Sequence, residues 1–457
     1  MNKQKHTTEL SVIPSVTVLR HSSERINGNN TLLEEDRSIH DWYRFVLAFP
    51  PHLVRELLVR FGIGPQHCVL DPFCGTGTTL VECKKLEVPS VGVEANPIAY
   101  YVSKIKTKWD VDPNGLMKHA TEIANITLDI LKKQGIEDDG HLPLFASKFS
   151  RVEKLKTLPP QIEKLLLKNS ISPLPLHKTL ELLQTLENHR SDKYHHHERL
   201  ALAKALVFSI SNLHFGPEVG VRKPKQDTPV ISAWLRCVSE MVDDLWLFKS
   251  KAGTSTLVYH ADSRSIHEFL EPQSIDAVIT SPPYPNEKDY TRTTRLESVL
   301  LGFIQSKKEL QQLKKGLVRS NTRGVYKTDS DDFQVADHPQ IRAIAEAIEK
   351  RRIELGKTSG FERMYARVVK LYFGGMKRHL ASLRGVLRPG ALLAYVVGDQ
   401  ASYLRIMIRT GELLADIAQS LGYEVVGTEL FRTRLATATR EQLREEIVIL
   451  RWPGSTD

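Results

Sequence analysis

The chain has 457 residues, of which 41% are hydrophobic and 26% charged, with a formal net charge of +9. This length and balance fit a folded protein of about three domains and exclude a disordered or collagen-like chain. The basic excess admits a polyanionic partner without requiring one, and no run nears the roughly 18 apolar residues that a membrane span needs.

Residues 1–35 are polar and aperiodic and read as a flexible N-terminus without an apolar leader core. Leu53, Val54, Leu57, Leu58 and Phe61 then recur at helical spacing behind Pro50-Pro51, a favourable helix start, and Gly62 and Gly64 end that helix. Cys68-Val69-Leu70 reads as a short buried strand. It runs into Asp71-Pro72-Phe73-Cys74-Gly75-Thr76-Gly77-Thr78-Thr79, followed by a helix over 80–86, a strand over 90–94 and a helix opened by Asn96-Pro97. Strand, glycine turn, helix, strand, helix is the order of a doubly wound, Rossmann-like α/β sheet.

Residues 103–254 lose the strand signal. Helical spacing holds over 116–131, 161–167, 180–186, 200–213 and 231–248, with breaks at Pro159-Pro160 and from Pro173 to Pro175, so 103–254 is expected to be a large helical insertion. Strands resume at 256–260 and 275–280. Residues 286–360 form a second, smaller insertion that is polar and basic. A long helix is expected over 361–387, ending at Pro389-Gly390, then a near-continuous apolar run over 391–397, as in a central parallel strand. A helix over 411–421, closing strands over 423–431 and 446–452 and a tail at 453–457 complete the chain. The sheet thus gathers 36–102, 255–285 and 361–452 into one domain.

Four motifs carry chemistry. In the glycine turn, Gly75 and Gly77 let the backbone bend tightly and approach a ligand closely. It is neither a phosphate-binding Walker loop, since no Gly-Lys-Ser/Thr follows, nor the dinucleotide pattern, since Leu80 takes the third glycine position. Glu94 ends the next strand, about 20 residues on, where an acid can hold ribose hydroxyls. Asp262 follows the strand over 256–260. The strand over 275–280 runs straight into Ser281-Pro282-Pro283-Tyr284. There the two prolines fix the backbone and remove two amide donors. The carbonyls and the Ser281 hydroxyl are left as acceptors, and Tyr284 offers a flat face. That set suits an exocyclic amine on a planar base turned out of its stack.

On these residues the chain resembles the S-adenosylmethionine-dependent DNA amino-methyltransferases of the cytosine-N4/adenine-N6 group. The nonapeptide 71–79 is similar to their motif I, Ser281–Tyr284 to their motif IV, and the Phe49-Pro50-Pro51 helix, more loosely, to their motif X. The resemblance covers the sheet segments and neither insertion. It implies that Phe49, Asp71, Phe73, Gly75, Gly77, Thr78, Thr79, Glu94 and Asp262 hold S-adenosylmethionine, with Asp262 at the adenine amine. It implies that Ser281, Pro282, Pro283 and Tyr284 serve the target amine. Ser-Pro-Pro-Tyr is commoner in cytosine-N4 enzymes and Asp-Pro-Pro-Tyr in adenine-N6 enzymes, so cytosine N4 is favoured. The resemblance also implies double-stranded DNA as substrate and a restriction-modification role with a cognate endonuclease for the same site. The motif order is X, I, then IV, unlike the permuted order of many cytosine-N4 enzymes.

Adenine-N6 methylation, an RNA amino-methyltransferase such as a tRNA guanine-N2 enzyme, and a nucleic-acid-binding protein on a dead fold remain the other readings. From Pro285 to Lys327 the chain carries ten basic and four acidic side chains. A basic segment beside motif IV is where a phosphate backbone would pass. No metal is expected: adjacent histidines such as His195-His196-His197 point different ways on a helix. The four cysteines (Cys68, Cys74, Cys83 and Cys237) contain no CxxC pair, and a reducing cytoplasm fits them. With no Pro-Cys dipeptide, the covalent route of cytosine-C5 methylation has no candidate.

Overall fold

A computed structural model describes residues 32–45, 49–138, 155–215, 219–286, 288–435 and 442–454. Most of the stretch read as a flexible N-terminus, and the last residues of the tail, lie outside these.

Nine strands are present among the described residues: β1 (Val69–Asp71), β2 (Ser90–Val93), β3 (Leu213–Phe215), β4 (Val219–Val221), β5 (Thr256–Tyr259), β6 (Ile275–Thr280), β7 (Leu387–Gly398), β8 (Glu424–Leu435) and β9 (Gln442–Arg451). Seven form one sheet in the order β5-β2-β1-β6-β7-β9-β8. The pairs from β5 to β7 are parallel, while β9 lies antiparallel to both β7 and β8. The chain winds outward from β1 to β5, returns beside β1 as β6, and winds the other way. The reversal puts a crevice at the carboxyl ends of β1 and β6, where open α/β sheets bind ligands.

Alternation along the central strands builds two apolar layers. Val69, Ala277, Ile279, Ala394 and Val396 face α1 (Pro51–Arg60), which buries Leu53, Val54, Leu57 and Leu58 against them. Leu70, Val278, Leu393 and Tyr395 face the other way. Helix α2 (Thr78–Lys85) follows the glycine turn, and α3 (Pro97–Lys106) follows β2.

From α3 the chain continues through α4 (Pro113–Lys133), α5 (Pro160–Glu163), α6 (Pro173–Asn188), α7 (His195–Ala205) and α8 (Ile231–Leu247) before β5. Helices α3, α4, α6, α7 and α8 share a core with Ile39 and Trp42, and Trp42 Nε1 donates to Asp244 Oδ2 at 2.8 Å. Between β6 and β7 lie α9 (Tyr290–Thr293), α10 (Arg295–Leu300), α11 (Lys307–Gly316), α12 (Pro339–Glu354) and α13 (Tyr365–Leu383), and α14 (Thr410–Ser420) joins β7 to β8. The second apolar layer packs on α13 and α14. No described helix is long and apolar enough to cross a membrane.

Four local expectations need correction. Pro173 to Pro175 do not break a helix; Pro173 starts α6, where its fixed φ is an advantage and its missing N–H costs nothing. The helix expected over 161–167 is the single turn α5. The stretch 103–254 is not free of strand, since β3 and β4 pair antiparallel within it. Helix α13 stops at Leu383, and Pro389-Gly390 lie inside β7: Gly390 takes φ +87° and its amide bonds the Trp452 carbonyl at 2.7 Å. The register against β6 shifts there, so the Pro-Gly pair is absorbed as a bulge.

Candidate functional site

The crevice at the carboxyl ends of β1 and β6 is a cavity of about 270 Å³. Its first wall is the glycine turn between β1 and α2. Gly77 has φ +84°, and a Cβ there would meet Ser103 Cβ at 3.1 Å, so the position admits glycine alone. The Gly75 amide donates to Glu94 Oε2 at 2.9 Å, and the Asn96 amide donates to Glu94 Oε1 at 2.7 Å. One carboxylate at the end of β2 therefore fixes both the turn and the start of α3. Burial pushes Glu94 up to about 7, against the pull of those amides.

Asp71 ends β1. Its Oδ1 accepts from the Phe73 amide at 3.1 Å and from the Thr280 hydroxyl at 2.7 Å. The Thr79 hydroxyl donates to the Ile279 carbonyl at 3.2 Å. These bonds tie β1 and α2 to the end of β6, and burial raises Asp71 to about 6.

The second wall is Ser281–Tyr284. The Ser281 hydroxyl donates to the Val396 carbonyl of β7 at 3.0 Å, so its lone pairs are what it has left to offer. Burial raises the Tyr284 hydroxyl above its ordinary range. The Asn286 amide donates to the Tyr284 carbonyl at 2.8 Å, closing the turn.

Of the residues singled out in the sequence, Phe49, Phe73, Gly75, Thr78, Glu94, Ser281, Pro282, Pro283 and Tyr284 line this cavity. Asp71, Gly77 and Thr79 are buried behind its wall. Asp262 turns elsewhere. Its carboxylate caps the Arg264 amide at 2.9 Å and binds the Arg264 guanidinium at 2.6–3.0 Å, and Ala261 and Ser263 line the cavity in its place.

Of the basic segment, Lys288, Lys314 and Arg319 reach the cavity. Lys314 Nζ bonds Asp289 Oδ2 at 2.8 Å. Burial alone would raise Asp289, but its bond and charge pairing with Lys314, the Thr291 hydroxyl and the Arg295 charge together outweigh it and hold this carboxyl below its usual range. His195, His197 and Glu198 are buried in α7, where His119 bonds Glu198 at 2.6 Å. Among the described residues no group of three or more His, Cys, Asp or Glu is arranged to hold a metal.

Among the cavity residues that the sequence reading missed are Phe45, Asn321, Arg432, Arg434 and Glu445. Phe45 stands four residues before Phe49 and carried the only local signal. The others arrive from a loop near residue 320 and from the β8–β9 pair, and nothing near them in sequence marks them.

A family model described as DNA methylase matches residues 16–105. The type II methyltransferase M.BsoBI of Geobacillus stearothermophilus is 23% identical over 454 residues, covering 91% of this chain and 85% of that one. This chain is thus similar to amino-methyltransferases of restriction-modification systems. The type II methyltransferase M.AvaI of a Nostoc species is 22% identical over 451 residues, covering 90% of this chain and 86% of that one. M.MjaII of Methanocaldococcus jannaschii, also a type II methyltransferase, is 30% identical over 107 residues, 23% of this chain and 19% of that one.

The DNA methyltransferases that this chain resembles use S-adenosylmethionine as methyl donor. The cavity's residues fit that group. The turn at Gly75 borders the cavity, a carboxylate stands beside Gly75, and the rings of Phe45, Phe49 and Phe73 line the same space. A carboxylate suits a ribose diol, and aromatic faces suit a sulfonium cation.

Proposed function

We propose that this chain methylates an exocyclic amine in double-stranded DNA at a particular sequence, the target being N4 of a cytosine turned out of the duplex. The observation that carries the reading is the cavity shared by Ser281–Tyr284 with Gly75 and Glu94. An amine acceptor and a cofactor cradle lining one space is what direct methyl transfer requires.

Bound S-adenosylmethionine supplies an electrophilic methyl on sulfur. Glu94 holds the ribose hydroxyls, the glycine turn lets the main chain approach, and Phe49 covers the methionine end. An exocyclic amine is a poor nucleophile because its lone pair is delocalised into the ring. Ser281 Oγ and the Pro282 carbonyl accept its N–H bonds and favour the pyramidal form, which returns electron density to nitrogen. Tyr284 stacks on the base and keeps it aligned. Asp289, ionised and paired with Lys314, is too weak a base to take the proton first, so the proton leaves after attack. Catalysis is alignment and electrostatics. The basic segment 286–360, whose Lys288, Lys314 and Arg319 line the cavity, is the side along which the phosphate backbone passes. The setting is a cytoplasmic restriction-modification system, with an endonuclease for the same sequence as counterpart.

The test is incubation with S-adenosylmethionine and mixed-sequence duplex DNA, then nucleoside mass spectrometry. N4-methylcytosine is expected. N6-methyladenine would overturn the cytosine assignment, and product on RNA alone would overturn DNA as substrate. Ser281→Ala and Tyr284→Ala should lose methylation while S-adenosylmethionine still binds; loss of that binding would overturn their assignment to the amine.

A further inference from the structure

Strand β8 brings two arginines to the cavity. Arg432 and Arg434 lie two residues apart on it and so share one face. Both line the cavity, as does Glu445 of β9, which pairs in register with Arg432 on one side and with Gly398 of β7 on the other. A Cβ on Gly398 would meet Glu445 Cγ at 3.3 Å and the Tyr284 ring at 3.0 Å, so the bare glycine leaves these two side by side. Burial leads in raising the Tyr284 hydroxyl, Glu445 adds to it, and the Arg434 charge opposes it. Both charged groups thus stand within electrostatic reach of that ring.

The two arginines differ in what they have left to give. Arg432 Nε donates to Glu445 Oε2 at 2.5 Å. Arg434 Nε lies 3.8 Å from Glu445 Oε1, too far for a hydrogen bond, and is buried without a partner. Arg434 Nη2 reaches the Asp399 carbonyl only at 3.5 Å, and Nη1 has no partner among the described residues. The Asp399 carboxylate does not neutralise this charge, since Arg409 and Arg444 hold its Oδ2. Elsewhere on the wall Lys314 is paired with Asp289, and Arg319 spends its guanidinium on Asp329 and on the Lys314, Lys315 and Leu317 carbonyls. Arg434, its side chain 39% exposed, keeps a charge and donors in reserve beside Tyr284.

We infer that Arg434 grips a phosphate next to the extruded nucleotide, its Nη donors meeting the phosphodiester oxygens. The inference rests on the proposed function. A base leaves the stack only as its backbone turns, so the flanking phosphates come to the mouth of the pocket with it. A guanidinium matches a phosphate in charge and in fork geometry, and such contacts set position without reading sequence. The basic segment 286–360 then lies along the duplex, and Arg434 holds the strand at the target nucleotide itself.

The probe is a duplex holding the sequence that the wild type methylates, compared with duplexes in which either phosphate flanking the target base is replaced by a neutral methylphosphonate. kcat/KM and S-adenosylmethionine affinity are measured for wild type, Arg434→Gln and Arg434→Lys. Arg434→Gln should lose on the order of 30-fold in kcat/KM, the scale of a hydrogen bond to a charged group. Arg434→Lys should keep several-fold more, with cofactor affinity unchanged in both. The wild type should lose activity at one of the two methylphosphonates, and Arg434→Gln should lose little further there. A wild type indifferent to both replacements, losses that multiply at both linkages, or loss of cofactor binding in both variants would overturn the inference while leaving the function intact. A wild type that methylates no DNA would overturn the function and this inference with it.

Discussion

Gly398 lies against the ring of Tyr284: a Cβ on Gly398 would meet Tyr284 Cε2 at 3.0 Å and Cδ2 at 3.4 Å. The end of β7 therefore sets the depth at which this ring sits, and the Ser281 bond to Val396 anchors the same turn to the same strand. Gly398→Ala should displace the ring. Methylation is expected to fall about tenfold or more, because small misplacements of a positioning group are costly, with S-adenosylmethionine affinity unchanged. Unchanged methylation would mean that the ring's seat does not matter.

Glu94 is the hinge of the cofactor wall. Glu94→Gln keeps the volume but removes one of the two acceptors that hold Gly75 and Asn96. Cofactor affinity should fall about tenfold, the scale of a charge-assisted hydrogen bond, as read by titration calorimetry. In the wild type, affinity should also weaken as pH falls through about 7, where burial places this group's titration. A pH-independent affinity would contradict the assignment of Glu94 to the ribose.

Glu297 is buried beneath Tyr43, whose hydroxyl donates to it at 2.5 Å, and burial raises its carboxyl to about 7. A carboxyl raised by folding adds stability that is fully present below its unfolded value of 4.5 and is lost as pH rises through about 7. Glu297→Gln keeps the acceptor and removes the titration. The variant should gain on the wild type by on the order of 2 kcal/mol between pH 5 and pH 8, measured by denaturant unfolding at both. A constant difference across that range would reject the assignment.

Lys307 and Lys308 are exposed in the first turn of α11. If the phosphate backbone passes the basic segment, Lys307→Ala with Lys308→Ala should weaken DNA binding evenly across sequences. The slope of log affinity against log salt should drop by about 2, near one per neutralised phosphate. An unchanged slope would move the DNA path away from α11.

The parallel core of the fold was legible because its signals are local. The strand over 275–280 is found with the bounds expected, since an apolar run there meets a proline pair that must end it. The glycine turn and Glu94 could be read together because one βαβ unit contains both. Pro389-Gly390 misled because the pair reads as a stop signal, whereas it is a bulge whose pairing partner, Trp452, lies 62 residues on. Asn321, Arg432 and Glu445 were invisible for the same reason: their place in the wall is decided by contacts between distant segments. Asp262 stands at the expected strand end, with its carboxylate bonded to its neighbour Arg264.

The bond between Asp71 and Thr280 joins residues 209 positions apart, and the pairing of β1 with β6 beside it spans the whole helical excursion. A ribosome adding roughly 5–20 residues per second needs about 10–40 s to travel that distance. For that interval β1 has emerged with one of its two sheet neighbours still unmade. The helices α3 to α8, rich in local contacts, can pack during the wait, and late closure of a parallel pair is slow in any case. Translation speed through residues 72–280 is thus a variable that bears on the yield of folded protein as directly as any side chain in the cavity.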